Sequence, residues 1–212
     1  MNVLKKVPEG LYKTGFALSG GGIKGLCHAG VLKALEEKGI FPDIISGVSA
    51  GAVVGALYAD GYSPDEIARL FEDISFRKMT KIRIPEGGLF RIDAFEDFMY
   101  KNLRAKTFEE LRIPLRIVAT DLDKGRSVVF DKGNLIDPIV ASCSVPLLFT
   151  PKRINGVHYV DGGVLKNFPV STIRDSCRTV IGINASPLVA DEYKLSLLNV
   201  AQSGDHVVSA AS

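Results

Sequence analysis

A serine flanked by glycines is the residue of this sequence best placed for covalent chemistry. Gly47-Val48-Ser49-Ala50-Gly51 follows an apolar strand-like segment, 40–48, and precedes an apolar helical pattern, which is the context of a nucleophile elbow. Gly47 and Gly51 would permit a sharp turn from which the Ser49 hydroxyl projects. Serine also caps helices well, so the pattern by itself fits either a nucleophile or a helix cap.

A glycine-rich loop precedes this serine by about one strand–helix unit. Gly20-Gly21-Gly22-Ile23-Lys24-Gly25 has the form G-x-G-x-x-G and lies between an apolar strand, 14–18, and a helical pattern. Exposed backbone N–H groups and a helix N-terminus favour an anion, either a phosphate or an oxyanion. A dinucleotide site would also need an acidic residue at the end of the next strand, where the sequence has 46–49, Ser-Gly-Val-Ser. A non-catalytic phosphate- or nucleotide-binding module stays an alternative.

The elements around both loops predict a parallel α/β sheet. Strand, glycine turn and helix follow one another twice between 14 and 61, with Gly39 and Gly61 ending the helices. Right-handed crossovers place both loops at the carboxyl edge of neighbouring strands, where ligands bind in such sheets. Further along the chain we expect helices over 63–74, 93–103, 136–142 and 170–177, a short helix after Thr107, and strands over 114–120, 127–130, 157–160 and 179–184.

Length and composition are those of one globular domain. The chain has 212 residues, 46% hydrophobic and 24% charged, and no linker or repeat divides it. We expect a single domain over 1–212, with the motifs inside 14–185 and an incomplete C-terminal end. The formal charge of +2 does not indicate nucleic-acid binding. A cytoplasmic protein is expected, because the N-terminus lacks a secretory h-region and the longest apolar stretch, 50–59, falls short of the ~20 residues of a membrane span.

The remaining reactive residue types predict no second site. Cys27, Cys143 and Cys177 are far apart and without C-x-x-C spacing, so we expect reduced, mostly buried thiols and no zinc site. Asp121 and Asp123 lack the other ligands of a calcium loop, which favours a hairpin turn there.

A third motif gives the first two a family context. Asp161-Gly162-Gly163 follows the strand 157–160 and is, taken alone, typical of a turn. The ordered set of glycine loop, serine elbow and late Asp-Gly-Gly resembles the patatin-like phospholipase family in its bacterial single-domain form. The segments 141–151 and 159–169 add to this resemblance, which covers about residues 14–185.

The resemblance implies a fold, an activity and a set of site residues. The fold would be a three-layer α/β/α sandwich with a mainly parallel central sheet. The activity would be acyl-ester hydrolysis on phospholipids or other acyl lipids, of phospholipase A or lysophospholipase type, without metal or organic cofactor. Ser49 would be the nucleophile, Asp161 its base in a catalytic dyad, and the N–H groups of Gly20, Gly21 and Gly22 the oxyanion hole. The supporting motif residues would be Lys24, Gly25, Gly47, Gly51, Gly162 and Gly163.

Two further hypotheses concern the base and the membrane. A Ser-His-Asp esterase would need His28, His158 or His206 beside Ser49, in place of a direct aspartate base. Basic and apolar residues alternate over 76–84, which fits either a solvated face or a transient, peripheral contact with an anionic membrane. The basic residues of this cluster are Arg77, Lys78, Lys81 and Arg83.

Overall fold

One mostly parallel sheet organises the computed structural model, which describes residues 12–73 and 92–186. The strand order is β5-β6-β3-β2-β1-β7, with β4 paired to β3. β7, β1, β2 and β3 run parallel to one another, whereas β4 and β6 are antiparallel to β3. The strands are β1 (Tyr12–Leu18), β2 (Ile44–Val48), β3 (Leu115–Asp121), β4 (Arg126–Phe130), β5 (Lys152–Ile154), β6 (Val157–Asp161) and β7 (Cys177–Ile183).

Helices cover both faces of this sheet and make it a three-layer α/β/α sandwich. The larger core packs Phe16, Leu18 and Ile45 of the sheet against Leu57 and Ile139 of the helices. A smaller apolar cluster on the other side joins Ala17 and Ile44 to Ile173 and Cys177. The helices of the described residues are α1 (Leu26–Glu37), α2 (Ala50–Ala59), α3 (Pro64–Asp73), α4 (Asp93–Asn102), α5 (Ile136–Ser142) and α6 (Gly163–Lys166).

Helix α2 lies directly against the sheet and is buried along its whole length. Its sequence, AGAVVGALYA, is apolar on every side, which is the pattern of a helix enclosed by other elements. Two glycines permit the close approach. A Cβ on Gly51 would overlap the carbonyl oxygens of Leu18 and Ser19, and a Cβ on Gly47 would overlap the backbone of Gly51.

Most of the predicted elements are confirmed, and the local signals act as expected. Gly39 and Gly61 end their helices with φ of 69° and 97°. The N–H and the hydroxyl of Ser63 both donate to the Glu66 carboxylate at 2.8 Å, which forms a capping box at the start of the helix predicted over 63–74. The β3–β4 hairpin also confirms the predicted turn, in which Asp121 accepts the N–H of Lys124 at 3.0 Å.

Three expectations about the elements are corrected. The strand predicted over 40–48 begins only at Ile44, because Pro42 has no N–H to contribute to a ladder. The helix predicted over 170–177 is two 3₁₀ turns, Pro169–Thr172 and Arg174–Ser176, in a stretch rich in serine and β-branched residues. The strand β5 and the one-turn helix α6 have too few residues to show a period, and the sequence did not predict them.

Some expectations concern residues outside the described ranges. The basic and apolar cluster over 76–84 and His206 both lie there. Within 12–73 and 92–186, no helix combines the length and the apolar character needed to cross a bilayer. The three cysteines are free thiols, but only Cys177 is fully buried; Cys27 is exposed, because its position on α1 faces solvent, and Cys143 is half-buried. The expectation of mostly buried thiols is therefore wrong for Cys27.

The close approach of α2 predicts opposite effects for two glycine-to-alanine substitutions. Gly51→Ala should lower the free energy of unfolding by about 1–3 kcal/mol, because the added methyl group overlaps backbone that has little room to move. Gly30→Ala, in α1, is the matched control. Its new Cβ meets nothing within 4 Å, so it should raise stability by about 0.5–1 kcal/mol. Urea unfolding measures both, and equal effects would contradict the packing described here.

Candidate active site

Ser49 occupies a strained turn between β2 and α2. Its backbone has φ of 50° and ψ of −122°, a combination that costs a residue with a side chain about 1–3 kcal/mol. The residue is the N-cap of α2 by position, yet its side chain makes no capping hydrogen bond. The helix-cap alternative therefore does not account for Ser49. Its hydroxyl is available to other partners at the positive end of a buried helix.

A second serine holds this turn in place. Ser142, at the end of α5 and fully buried, accepts a hydrogen bond from the Ser49 N–H at 2.8 Å. The same Ser142 hydroxyl donates to the carbonyl of Val118 in β3 at 2.7 Å. One side chain thus connects the serine elbow to the neighbouring strand. It also provides an acceptor for the Ser49 N–H, which the strained turn leaves without a partner in the sheet.

Cys143 brings Ser49 and Asp161 into one cluster. Its thiol lies near the Ser49 side chain and close enough to Asp161 to feel its charge. Burial, followed by the negative charge of Asp161, raises the pKa of the Cys143 thiol well above its ordinary value. The thiol is therefore neutral at physiological pH and adds no charge to the site.

Asp161 is the last residue of β6 and is buried. Strand register places it opposite Ala119, while the preceding residue of β3, Val118, is opposite Val48. Asp161 is thus two strand spacings from the serine elbow, ~10 Å between backbones. Its carboxylate Oδ1 accepts the N–H of Gly163 at 2.7 Å. This bond fixes the orientation of the carboxylate.

Backbone contacts on both sides fix the position of Asp161. Its N–H donates to the carbonyl of Ser144 at 2.9 Å, and its carbonyl accepts the hydroxyl of Thr120 at 3.0 Å. The next residue in the chain, Gly162, lies where no larger residue fits. A Cβ there would overlap the Val118 carbonyl and lie 3.2 Å from the Val48 side chain. The Asp-Gly-Gly motif therefore works here as a close-packed strand end as well as a turn.

The glycine loop lies directly beside Ser49. A Cβ on Gly20 would be 3.4 Å from the Cβ of Ser49, and a Cβ on Gly25 would overlap the side chain of Ala50. Gly22 has φ of 53°, which glycine adopts without strain. The structure thus brings together the two motifs that the sequence placed one strand–helix unit apart.

Only two of the three N–H groups expected in the oxyanion hole have no hydrogen-bond acceptor among the described residues. The N–H of Gly20 already donates to the carbonyl of Asn167 at 3.0 Å, so it is not available to a ligand. Among the described residues, the N–H groups of Gly21 and Gly22 have no hydrogen-bond acceptor. These two neighbouring N–H groups remain as candidate donors to an anion.

Further contacts anchor the glycine loop to its surroundings. The hydroxyl of Ser19 accepts the N–H of Ala185 at 2.8 Å, and the hydroxyl of Ser186 donates to the Gly20 carbonyl at 3.3 Å. His28 lies under the loop with its Nε2 2.9 Å from the Ser19 carbonyl, so Nε2 carries the proton. Burial lowers the pKa of His28, and the ring is a neutral support of the loop.

The histidines do not form a triad with Ser49 in the described part of the chain. His28 bonds to Ser19, and its Nδ1 is buried without a partner. His158 is exposed, and its Nδ1 lies 3.2 Å from the Asp123 carboxylate. The described residues thus offer no observation in favour of a Ser-His-Asp esterase.

A cavity of about 720 Å³ opens beside the glycine loop. It is lined by residues of the loop and α1 and by the chain after β7, and it does not include Ser49 or Asp161. Lys24 is exposed and belongs to this lining. Within 12–73 and 92–186, no group of three or more histidine, cysteine or acidic side chains is arranged to hold a metal ion. The lining residues are Ile23, Lys24, Leu26, Cys27, Asn184, Ala185 and Ser186.

Sequence reasoning assigned no role to three residues that shape the site. Ser142 and Cys143 lie in a stretch that contributed to the family resemblance, but their contacts to Ser49 span more than 90 residues and leave no periodic signal. Asn167 lies in the second such stretch and acts through its backbone carbonyl, which any residue type possesses. A serine that pairs with a distant backbone N–H cannot be recognised from its neighbours in the sequence.

The chain is similar to known proteins of one family. A family model for patatin-like phospholipases matches residues 16–173. The uncharacterized protein YqhO of Bacillus subtilis is 32% identical over 215 residues, covering 85% of this chain and 74% of that protein. An uncharacterized NTE family protein of Mycobacterium tuberculosis is 32% identical over 201 residues, covering 93% of this chain.

A solved structure shows the same fold. VipD from Legionella pneumophila superposes with a TM-score of 0.65 at 19% sequence identity, over 92% of this chain and 52% of that one. The chain also spans 54% of the mycobacterial relative's length, about half of it. The family model and the identities together show that the chain belongs to the patatin-like phospholipase family.

Proposed function

We propose that this chain hydrolyses acyl esters of lipids, as a phospholipase A or lysophospholipase, through a Ser49–Asp161 dyad. The observation that carries the proposal is the conformation of Ser49: a strained turn at the end of β2 whose hydroxyl caps no helix. Such strain persists at functional sites because the surrounding structure enforces it. Family membership supports the lipid substrate, and the free N–H groups of Gly21 and Gly22 support an oxyanion intermediate.

In the proposed acylation step, Asp161 accepts the proton of the Ser49 hydroxyl while the oxygen attacks the ester carbonyl carbon. The carbonyl electrons move to its oxygen, and the resulting oxyanion accepts hydrogen bonds from Gly21 and Gly22. Collapse of this intermediate expels the alcohol, which takes the proton back from Asp161, and leaves an acyl group on Ser49.

In the proposed deacylation step, water replaces the alcohol. Asp161 accepts one proton of the water, and the hydroxide attacks the acyl carbon of the ester on Ser49. The second oxyanion collapses, the fatty acid leaves, and Ser49 recovers its proton from Asp161. Nucleophile, base and oxyanion donors are all supplied by the chain, so the proposed reaction calls for no metal or organic cofactor. We place it in the cytoplasm, on substrate presented at a membrane surface.

Removing the Ser49 hydroxyl tests the nucleophile. Ser49→Ala should reduce hydrolysis of a short-chain nitrophenyl ester to the uncatalysed background, while the unfolding midpoint changes little because no capping bond is lost. A fluorophosphonate probe should label the native chain at Ser49 and leave the variant unlabelled, as read by peptide mass spectrometry. Labelling of a different residue, with Ser49 unmodified, would contradict the assignment.

Three further substitutions separate a dyad from a triad. Asp161→Asn should lower kcat about 10²- to 10⁴-fold, the usual contribution of a general base. His158→Gln and His206→Gln are the controls and should leave kcat within a few-fold, since His158 pairs with Asp123 at the surface. Circular dichroism checks that each variant folds. A histidine variant as inactive as Asp161→Asn, with a native spectrum, would establish a triad instead.

The Ser142 bridge gives a prediction about positioning. Ser142→Ala should cost about 1–3 kcal/mol of stability, because it leaves the buried N–H of Ser49 without an acceptor. It should also slow the labelling of Ser49 by the fluorophosphonate probe. Ser144→Ala is the matched control: this hydroxyl is equally buried but donates only to the Val140 carbonyl, which also accepts the N–H of Cys143. Equal labelling rates in the two variants would remove Ser142 from the positioning of the nucleophile.

A further inference from the structure

Two exposed apolar turns are neighbours, in the sequence, of residues that contact the serine elbow. The first contains Ile23 and Leu26, at the start of α1, and follows the glycine loop that packs on Ala50. The second contains Leu147 and Leu148, and begins directly after the residues that contact Ser49 and Asp161. We call these four leucine and isoleucine residues the apolar rim. Ile23 is 75% exposed and Leu147 is 72% exposed, the two most exposed large apolar side chains in the described part of the chain.

The turn that carries Leu147 is held rigidly in an unfavourable conformation. Leu147 has φ of 69°, a left-handed backbone that bulky side chains rarely adopt. Its neighbours are nevertheless well bonded: Val145 accepts the N–H groups of Leu148 and Phe149, at 3.2 and 2.9 Å. Phe149 packs against the main core, so the turn is anchored on its far side as well. The turn thus exposes two leucines to solvent. Their packing inside the protein does not account for the free-energy cost of the left-handed backbone at Leu147.

The charge around the rim fits a lipid surface better than an ordinary protein partner. The loop 19–28 and the turn 143–151 contain no aspartate or glutamate, although the chain has 24 acidic residues. Lys24 is the one lysine or arginine within these two segments. A surface that is apolar, free of negative charge and carries a cation near its edge matches the headgroup and acyl region of a phospholipid layer.

We infer that the apolar rim is the surface by which this chain docks on a phospholipid layer, with Leu147 and Leu148 inserted below the headgroups. This inference rests on the proposed function, because a lipid hydrolase must draw an acyl chain out of such a layer. The rim borders the cavity beside the glycine loop, whose lining includes Ile23 and Leu26. An acyl chain leaving the layer would therefore meet apolar surface before it reaches Ser49.

The test is vesicle binding by the Ser49→Ala form, in which no turnover can alter the lipid. Leu147→Asn with Leu148→Asn removes the inserted side chains, and asparagine tolerates the left-handed backbone. We expect at least a tenfold loss in partitioning onto vesicles of phosphatidylcholine and phosphatidylglycerol, since burying one of the two leucines alone is worth about that factor.

A matched control comes from the opposite edge of the sheet. Ile40 and Phe41 are exposed apolar neighbours in the turn before β2, and Phe41 is 57% exposed. Ile40→Asn with Phe41→Asn removes a comparable area of apolar surface, and partitioning should stay within twofold of the parent. Equal losses in the two double variants would overturn the rim as the docking surface. The inference would also be overturned if the parent chain formed a dimer in solution that the Leu147 and Leu148 variant lost and the Ile40 and Phe41 variant kept. The partner of the rim would then be a second copy of the chain.

A measurement on the chain with native rim residues does not depend on whether the variants fold. Cys27 is exposed and adjoins Leu26 of the rim. Its reaction with a maleimide dye should slow at least several-fold when saturating vesicles are added. Dye labelling at an unchanged rate, with the chain fully bound, would place the lipid contact elsewhere and overturn the inference. Hydrolysis of a water-soluble ester is read separately on the active chain, so failure of the proposed function is seen in that assay and failure of docking in the vesicle assays.

Discussion

The hydroxyl of Ser142 joins three segments that are distant in the sequence, and the geometry of the turn at Ser49 depends on this junction. It accepts from Ser49 and donates to Val118, so one buried oxygen links the elbow, the strand β3 and the end of α5. Relaxing Ser49 out of its strained turn would break this bond and bury an unpaired N–H, at about 1–3 kcal/mol. That cost is of the same size as the strain itself, so the turn persists. The glycines of the elbow complete the constraint by letting α2 lie against the sheet.

The electrostatics of the site follow from the same packing. Asp161 is buried, and the N–H of Gly163 supports its negative charge. Cys143 lies near this carboxylate as a neutral thiol, because burial and the nearby charge both oppose its ionisation. Its neutrality leaves the negative charge of Asp161 unpaired by a cation at this position. A positively charged residue at position 143 would pair with the carboxylate and weaken Asp161 as the proposed base.

The sequence predicts elements whose signals are local and fails where contacts are long-range. The glycine turn, the elbow and the Ser63 capping box each rest on residues within about one helical turn, and the structure confirms them. The four-residue helix α6 and the three-residue strand β5 are too short for any periodicity to appear. The sequence also could not predict that the Gly20 N–H is already hydrogen-bonded, because its acceptor is a backbone carbonyl almost 150 residues away.

The chain after Asp161 connects the end of β6 to the glycine loop. The segment turns at Gly162 and Gly163 and reaches the glycine loop within six residues, where the Asn167 carbonyl takes the N–H of Gly20. Holding Gly20 in this way leaves the next two N–H groups, those of Gly21 and Gly22, at the free side of the loop. The Asn167 side chain also donates to Ser186, whose hydroxyl in turn donates to the Gly20 carbonyl. A displacement of the Asp161 strand end would therefore shift the anion-binding loop with it, so that the two halves of the site keep their relative position as the sheet fluctuates.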